Sequence, residues 1–231
     1  MPRVSLLLAL LITTPLFAAT AVKIPNAAAR EAAFADEPLE HWLDVAPAGV
    51  GQNLLRAAAE HASRNKVEAA RDDLHRLLAM KDLSTETKLN ALAALRELGE
   101  PQKGTDILGV VVETVHDNAV ETLVAYADHT TRFIRQDGRV LFANNSEVTE
   151  LVERFFFTAS HLATATPKPL LQRRVDRIEP SEIAEFRIYL LTPQGTLLRV
   201  VTPGEEGDPV AGLAIKSATD LLRGIYQTTT P

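Results

Sequence analysis

Cysteine is absent from all 231 residues of the sequence. This absence excludes a disulfide framework, a thiolate metal site and a lipid-modified N-terminal cysteine. It does not argue against export, because disulfides are needed mainly by small exported domains and this chain is large.

Aromatic residues and positive charge are also scarce. Phe, Trp and Tyr make up 5% of the chain, and 24 Lys and Arg stand against 30 Asp and Glu, for a net charge of -6. Proteins that bind nucleic acid need stacking aromatics or clustered basic residues, so we expect no nucleic-acid partner. The hydrophobic fraction of 46% is sufficient for a core built mainly from aliphatic side chains.

No recognisable catalytic, metal-binding or nucleotide-binding motif is present. The chain has no Gly-x-Ser-x-Gly elbow for a nucleophilic serine. Ser160 and His161 are adjacent on a predicted helix, where they point about 100° apart and do not easily form a nucleophile and base pair. We therefore predict no catalytic, cofactor-binding or metal-binding residues.

The first 21 residues have the pattern of a secretory signal peptide. Arg3 precedes an apolar run over residues 4 to 12, and an Ala-x-Ala cleavage site ends at Ala21. The alternative is an uncleaved anchor, because residues 4 to 22 are about long enough to span a bilayer. Cleavage is preferred because polar residues and Pro15 interrupt the run, and it predicts a periplasmic or secreted protein with no other membrane segment.

Three helices are predicted after a linker. Residues 22 to 50 form the linker, with a short helix around the sequence LEHWLD. Residues 51 to 100 carry apolar residues at helical spacing, and the third helix begins at the N-cap Ser84. This segment is interpreted as a helical cover for the following domain; a tetratricopeptide array is the alternative, although its signature residues are missing.

Residues 106 to 231 predict an α+β domain. Strand and helix patterns follow in the order ββββαββα, which indicates an antiparallel sheet of about six strands with two helices on one face. Residues 109 to 112, GVVV, do not alternate, so this strand is expected to be covered on both sides. Asp137 and Gly138 predict a type I′ hairpin turn, with positive φ at both residues.

Three segments of this domain carry a family resemblance: LGVVVE, TLVAYADHTTRFIRQDGRV and SATDLLRGI. Together they resemble an uncharacterised family of bacterial proteins over residues 106 to 226. In that family a Tyr-x-Asp-Gly turn precedes an aromatic-containing strand and a second glycine turn. The resemblance implies no activity, and this sequence has His129 where the family has glycine.

Two pairs of histidine and carboxylate are interpreted as turn residues. They are His116-Asp117 and Asp128-His129. If residues 119 to 127 form one strand, the pairs lie about 30 Å apart, which is too far for one site. Asp also bonds readily to its own backbone in turns.

The candidate binding residues are Phe157, Trp42, Arg173 and Arg174. Phe157 is expected to face away from the apolar stripe of its helix. Trp42, the only tryptophan, either fills a gap in the core or contacts a ligand. The two arginines either bind an anionic group or are solvated residues of a loop. The function predicted is an exported, non-enzymatic binding or scaffold protein whose partner is another protein. Its layout resembles profilin-like and roadblock-like modules.

The alternative function is an exported hydrolase that uses carboxylates. Its candidate residues are Glu113, Asp117 and Asp128. Catalysis by these groups requires that they converge in a single cleft.

Overall fold

The computed structural model describes residues 22–46, 48–116, 118–143, 146–165, 170–172, 186–201 and 209–229. Within them the chain has the predicted α+β fold, with six α-helices and a seven-stranded antiparallel sheet. The predicted signal peptide, Asp117, Arg173 and Arg174 lie outside the described residues. No helix in the described part of the chain is both long and apolar enough to cross a bilayer.

The N-terminal helices surround a core of their own. They are a 3₁₀ helix (Leu39–Leu43), α2 (Val50–Ser63), α3 (Val67–Leu78) and α4 (Thr85–Glu97). The short helix α1 (Ala27–Ala32) precedes them and packs on the sheet instead. Ser84 is the N-cap of α4 as predicted, because its side chain accepts a hydrogen bond from the Thr87 amide. The apolar stripes of α2, α3 and α4 meet in one cluster that includes Leu55, Leu74 and Leu95.

The sheet domain contains one strand more than the sequence predicts. Its elements are β1 (Gly109–His116), β2 (Ala119–Tyr126), β3 (Thr131–Ile134), β4 (Val140–Ala143), α5 (Ser146–Leu162), β5 (Leu170–Gln172), β6 (Phe186–Thr192), β7 (Gly195–Val201) and α6 (Pro209–Thr229). The strand order across the sheet is β4-β3-β2-β1-β6-β7-β5. The added strand, β5, has three residues and pairs with β7 at the edge.

Strand β1 lies at the centre of the sheet and is covered on both faces, as its unbroken apolar run predicts. Val110 and Val112 belong to the core beneath α5 and α6. Val111 belongs to the core on the opposite face, where the chain after α1 packs. There the ring of Phe34 meets that of Tyr189 edge to face, with centroids 4.9 Å apart. The linker is therefore partly a cover for the sheet.

The β3–β4 hairpin forms, but its turn is not type I′. Only Gly138 has positive φ, at 80°, whereas Asp137 does not. Arg135 and Arg139 are joined by a hydrogen bond across a three-residue loop, and the Gly138 amide bonds back to the Arg135 carbonyl. This pattern is a type I turn followed by one residue with positive φ, here Gly138. A type I′ turn would need positive φ at two residues.

Candidate functional site

A groove lies between α5 and one end of the sheet. Its volume is about 770 Å³. The apolar lining consists of Ile107, Ala127, Val152, Phe156, Phe157, Ala163 and Leu197. The polar lining consists of Thr105, Asp106, His129, Glu153, Ser160 and Thr164. We call this surface the groove.

Helix α5 supplies much of the groove because its apolar surface is wider than the sheet can cover. Phe155 lies in the buried stripe and is fully inaccessible to solvent. Phe156 follows 100° further round and is partly buried against the same core. Phe157 faces outward as predicted, with 67% of its surface exposed. A large aromatic at that exposure is an unused apolar contact surface.

The rim of the groove carries acidic groups and one imidazole. His129 Nε2 lies 3.8 Å from Glu153 Oε1, and both side chains are substantially exposed. Asp106 lines the rim from the segment that enters β1. None of the described residues that line the groove is a lysine or an arginine.

Ser160 and His161 do not form a nucleophile and base pair. The Ser160 hydroxyl donates to the carbonyl of Phe157 at 2.7 Å. The same carbonyl lies 2.7 Å from His161 Nδ1, which also donates to it. Both groups therefore satisfy the backbone of α5, and the 3.5 Å between Ser160 and His161 is not an activating contact.

The turn that holds His129 has the same geometry as the β3–β4 turn. The Tyr126 amide bonds to the Thr130 carbonyl, and the His129 amide bonds back to Tyr126. His129 has φ of 66° and occupies the position that Gly138 occupies in the next hairpin. Histidine tolerates this conformation better than most residues, so the turn forms without glycine.

Asp128 in that turn accepts hydrogen bonds from two backbone amides and one hydroxyl. Its carboxylate accepts hydrogen bonds from the amides of Thr130 at 3.1 Å and Thr85 at 2.8 Å, and from the Thr130 hydroxyl. Burial raises the pKa of Asp128, but these hydrogen bonds outweigh it and hold the pKa below its ordinary value. The carboxylate is thereby kept ionised as a cap on α4.

Glu113 is buried in an ion pair on the face of the sheet opposite α5 and α6. Arg30 donates to both of its oxygens, at 2.6 and 3.0 Å, and the Tyr189 hydroxyl donates at 3.2 Å. Burial opposes the charge on Arg30, but the bonds and charge of Glu113 raise the pKa of Arg30 above its usual range. Burial, and then the nearby charge of Glu113, raise the pKa of Tyr189. Glu113 is a structural group with no opening to the groove.

The two described carboxylates of the hydrolase alternative, Glu113 and Asp128, are not brought together. Neither Glu113 nor Asp128 lines the groove. Glu113 lies four residues along β1 from Gly109, the end nearest Asp128, a span of about 13 Å at the usual rise of a strand. Asp117 lies outside the described residues.

Of the four predicted binding residues, the structure places one in the groove. Phe157 lines it. Trp42 is 8% exposed and packs in the core of the N-terminal helices, edge-on to His41, so it presents no binding surface. Its indole nitrogen has no hydrogen-bond partner. Arg173 and Arg174 lie outside the described residues.

Sequence reasoning missed most of the groove because its walls come from distant segments. Ile107, His129, Glu153 and Leu197 are brought together by the sheet and by α5. The run of three phenylalanines gave a signal for one wall, since a single helical stripe cannot bury all three. No local pattern pairs His129 with Glu153.

Comparison with protein-family models, with curated proteins and with solved structures finds no match to this chain. No group of three or more metal-ligating side chains occurs among the described residues. Inferences about function therefore begin from the groove.

Proposed function

We propose that the protein is an exported, non-enzymatic binding protein that holds the apolar part of its ligand in the groove. The observation that carries this proposal is the groove itself, an apolar cavity of about 770 Å³ beside the exposed ring of Phe157. Small-molecule sites usually occupy about 300–1,000 Å³ and combine an apolar lining with a few polar groups.

Binding is favoured over hydrolysis by the state of the polar groups. Glu113 is neutralised by Arg30, and Asp128 accepts backbone hydrogen bonds. Ser160 donates to a helix carbonyl instead of to a base. A catalytic group needs a free position beside the substrate, and these three groups are already bonded within the fold.

Titration with a neutral fluorescent probe tests the proposal. N-phenyl-1-naphthylamine brightens in apolar surroundings, and we expect saturable binding of one molecule per chain. Phe157→Ser should weaken that binding about tenfold, since about 1.4 kcal/mol is a reasonable share of the burial energy of a phenylalanine.

The matched control is Leu213→Ser. Leu213 is 56% exposed on α6 and does not line the groove. It should leave probe binding unchanged. An absence of saturable binding, or an equal loss in both variants, would refute the groove as the ligand site.

Export is tested separately by N-terminal sequencing of the protein from its native source. We expect the mature chain to begin at Val22, next to Lys23, whose backbone pairs with that of Ala119 and Val120. Retention of residues 1 to 21 in a membrane fraction would select the anchor alternative. The sequence-based expectation that the partner is another protein stays a prediction.

A further inference from the structure

We propose that the groove selects a small amphiphile with an apolar body and a protonated amine. This inference rests on the proposed function and specifies the ligand's charge. It follows from two independent features, the sign of the charge on the rim and the position of an exposed aromatic ring beside it.

Among the residues that the structure describes, the rim carries acidic groups and no lysine or arginine. Asp106 and Glu153 both line the groove. His129 also lines the groove, and its Nε2 lies 3.8 Å from Glu153 Oε1. A cationic head at this rim is therefore attracted by two carboxylates, while an anionic head is repelled by both.

The exposed aromatic ring suits an ammonium group. Phe157 lines the groove with 67% of its surface exposed. The face of an aromatic ring attracts a cation, and an aromatic surface combined with carboxylates is a common way to recognise amines. His161 contacts the Phe157 ring edge to face, with centroids 4.8 Å apart, which holds the ring in place.

The apolar lining limits the size of the ligand body. Val152, Phe156 and Ile107 line the wall beneath the rim. A cavity of about 770 Å³ accommodates a short alkyl chain or one ring system.

The test compares three ligands with the same tail and different heads. Octylammonium, octanol and octanoate are each titrated against bound N-phenyl-1-naphthylamine at pH 8 and low salt, and the displacement of the probe gives the affinity of each ligand. We expect octylammonium to bind about threefold tighter than octanol, and octanoate to bind weakest, since exposed ion pairs contribute modestly to affinity. The preference should decline as salt is added.

Glu153→Gln and Asp106→Asn should each weaken octylammonium binding about threefold and leave octanol unchanged. The matched control is Glu150→Gln. Glu150 is exposed on the same helix and outside the groove, so it changes the net charge equally without changing the rim.

The outcomes separate the two proposals. Equal binding of the three ligands, or tighter binding of octanoate, overturns the amine selectivity and leaves the groove as a binding site. An equal effect of Glu150→Gln also overturns it, because net charge alone would then explain the preference. Failure of the neutral probe to bind overturns both proposals. The protein could also form a dimer at high concentration that the Phe157→Ser substitution dissociates. The groove would then be occupied by a second copy of the chain, and the amine proposal would be overturned.

Discussion

Asp128, in the turn between β2 and β3, caps the first turn of α4 by accepting a hydrogen bond from the backbone amide of Thr85 at 2.8 Å. The first amides of a helix lack partners within the helix, and the helix dipole favours a negative charge there. Ser84 caps the same end through Thr87. The contact joins the N-terminal helices to the sheet across 43 residues of sequence.

Replacing Asp128 by Asn should reduce the free energy of unfolding by about 0.5–1 kcal/mol, because the negative charge at the end of α4 is lost. Because the pKa of Asp128 is lower in the folded chain, its contribution is present above about pH 4 and disappears as the pH falls through the folded value. The difference between the wild type and the variant should therefore shrink below about pH 4, as measured by urea unfolding over a series of pH values.

Asp137→Asn is the matched control for this prediction. Asp137 occupies the same position in the next hairpin and accepts a hydrogen bond from the amide two residues on, as Asp128 does. It has no helix terminus to cap. A loss of stability as large as that of Asp128→Asn would mean that the turn, and not α4, depends on the charge.

Replacing Gly138 by Ala should destabilise the protein by at least about 1 kcal/mol. Gly138 has φ of 80°, where a Cβ is strained, and that Cβ would lie 3.4 Å from the Pro25 carbonyl oxygen. His129→Ala should change stability by no more than about 0.5 kcal/mol, because a non-glycine residue already occupies the equivalent position. Thermal unfolding of both variants checks the pair. Loss of probe binding by a stable His129→Ala protein would show that this turn takes part in binding as one side of the groove.

Removing Arg30 should be among the costliest single changes outside the main core. Arg30→Met leaves Glu113 buried without its bidentate partner, and the free energy of unfolding should fall by about 3 kcal/mol. Adding Glu113→Gln should recover part of this loss, which a double-mutant cycle measures as coupling.

The exposed pair Arg56 and Glu60 provides the control for the buried pair. Their nitrogen and oxygen lie 3.4 Å apart, and each side chain is 43% exposed. Arg56→Met should cost no more than about 0.5 kcal/mol. If Arg30→Met and Arg56→Met lowered the free energy of unfolding equally, burial would add nothing to the contribution of the Arg30–Glu113 pair.

Phe157→Ser should change stability by less than about 0.5 kcal/mol, because the side chain is largely exposed. Phe155→Ala, two residues earlier on the same helix, should cost about 3–5 kcal/mol because it empties a fully buried site. Chemical denaturation of the two variants distinguishes the buried face of α5 from its exposed face. A large loss for Phe157→Ser would mean that its ring is packed and is not free for a ligand.

The sequence by itself determined the elements whose causes are local. The Ser84 cap, the β3–β4 hairpin and the apolar stripe of α5 each depend on residues within a few positions of one another. The double coverage of β1 was also predictable, since a strand buried on both faces must be apolar at successive residues. The type I′ assignment was wrong because Asp-Gly suits two turn types, and the loop length that selects between them depends on strand register.

Only the tertiary structure decided which distant residues meet. Arg30 reaches Glu113 across 83 residues, and β5 pairs with β7 in a segment predicted as a connection. The groove likewise exists because the entry to β1, the His129 turn and α5 converge at one end of the sheet. Each of these contacts is set by strand order and by the packing of helices on the sheet, and neither leaves a periodic signal in the sequence.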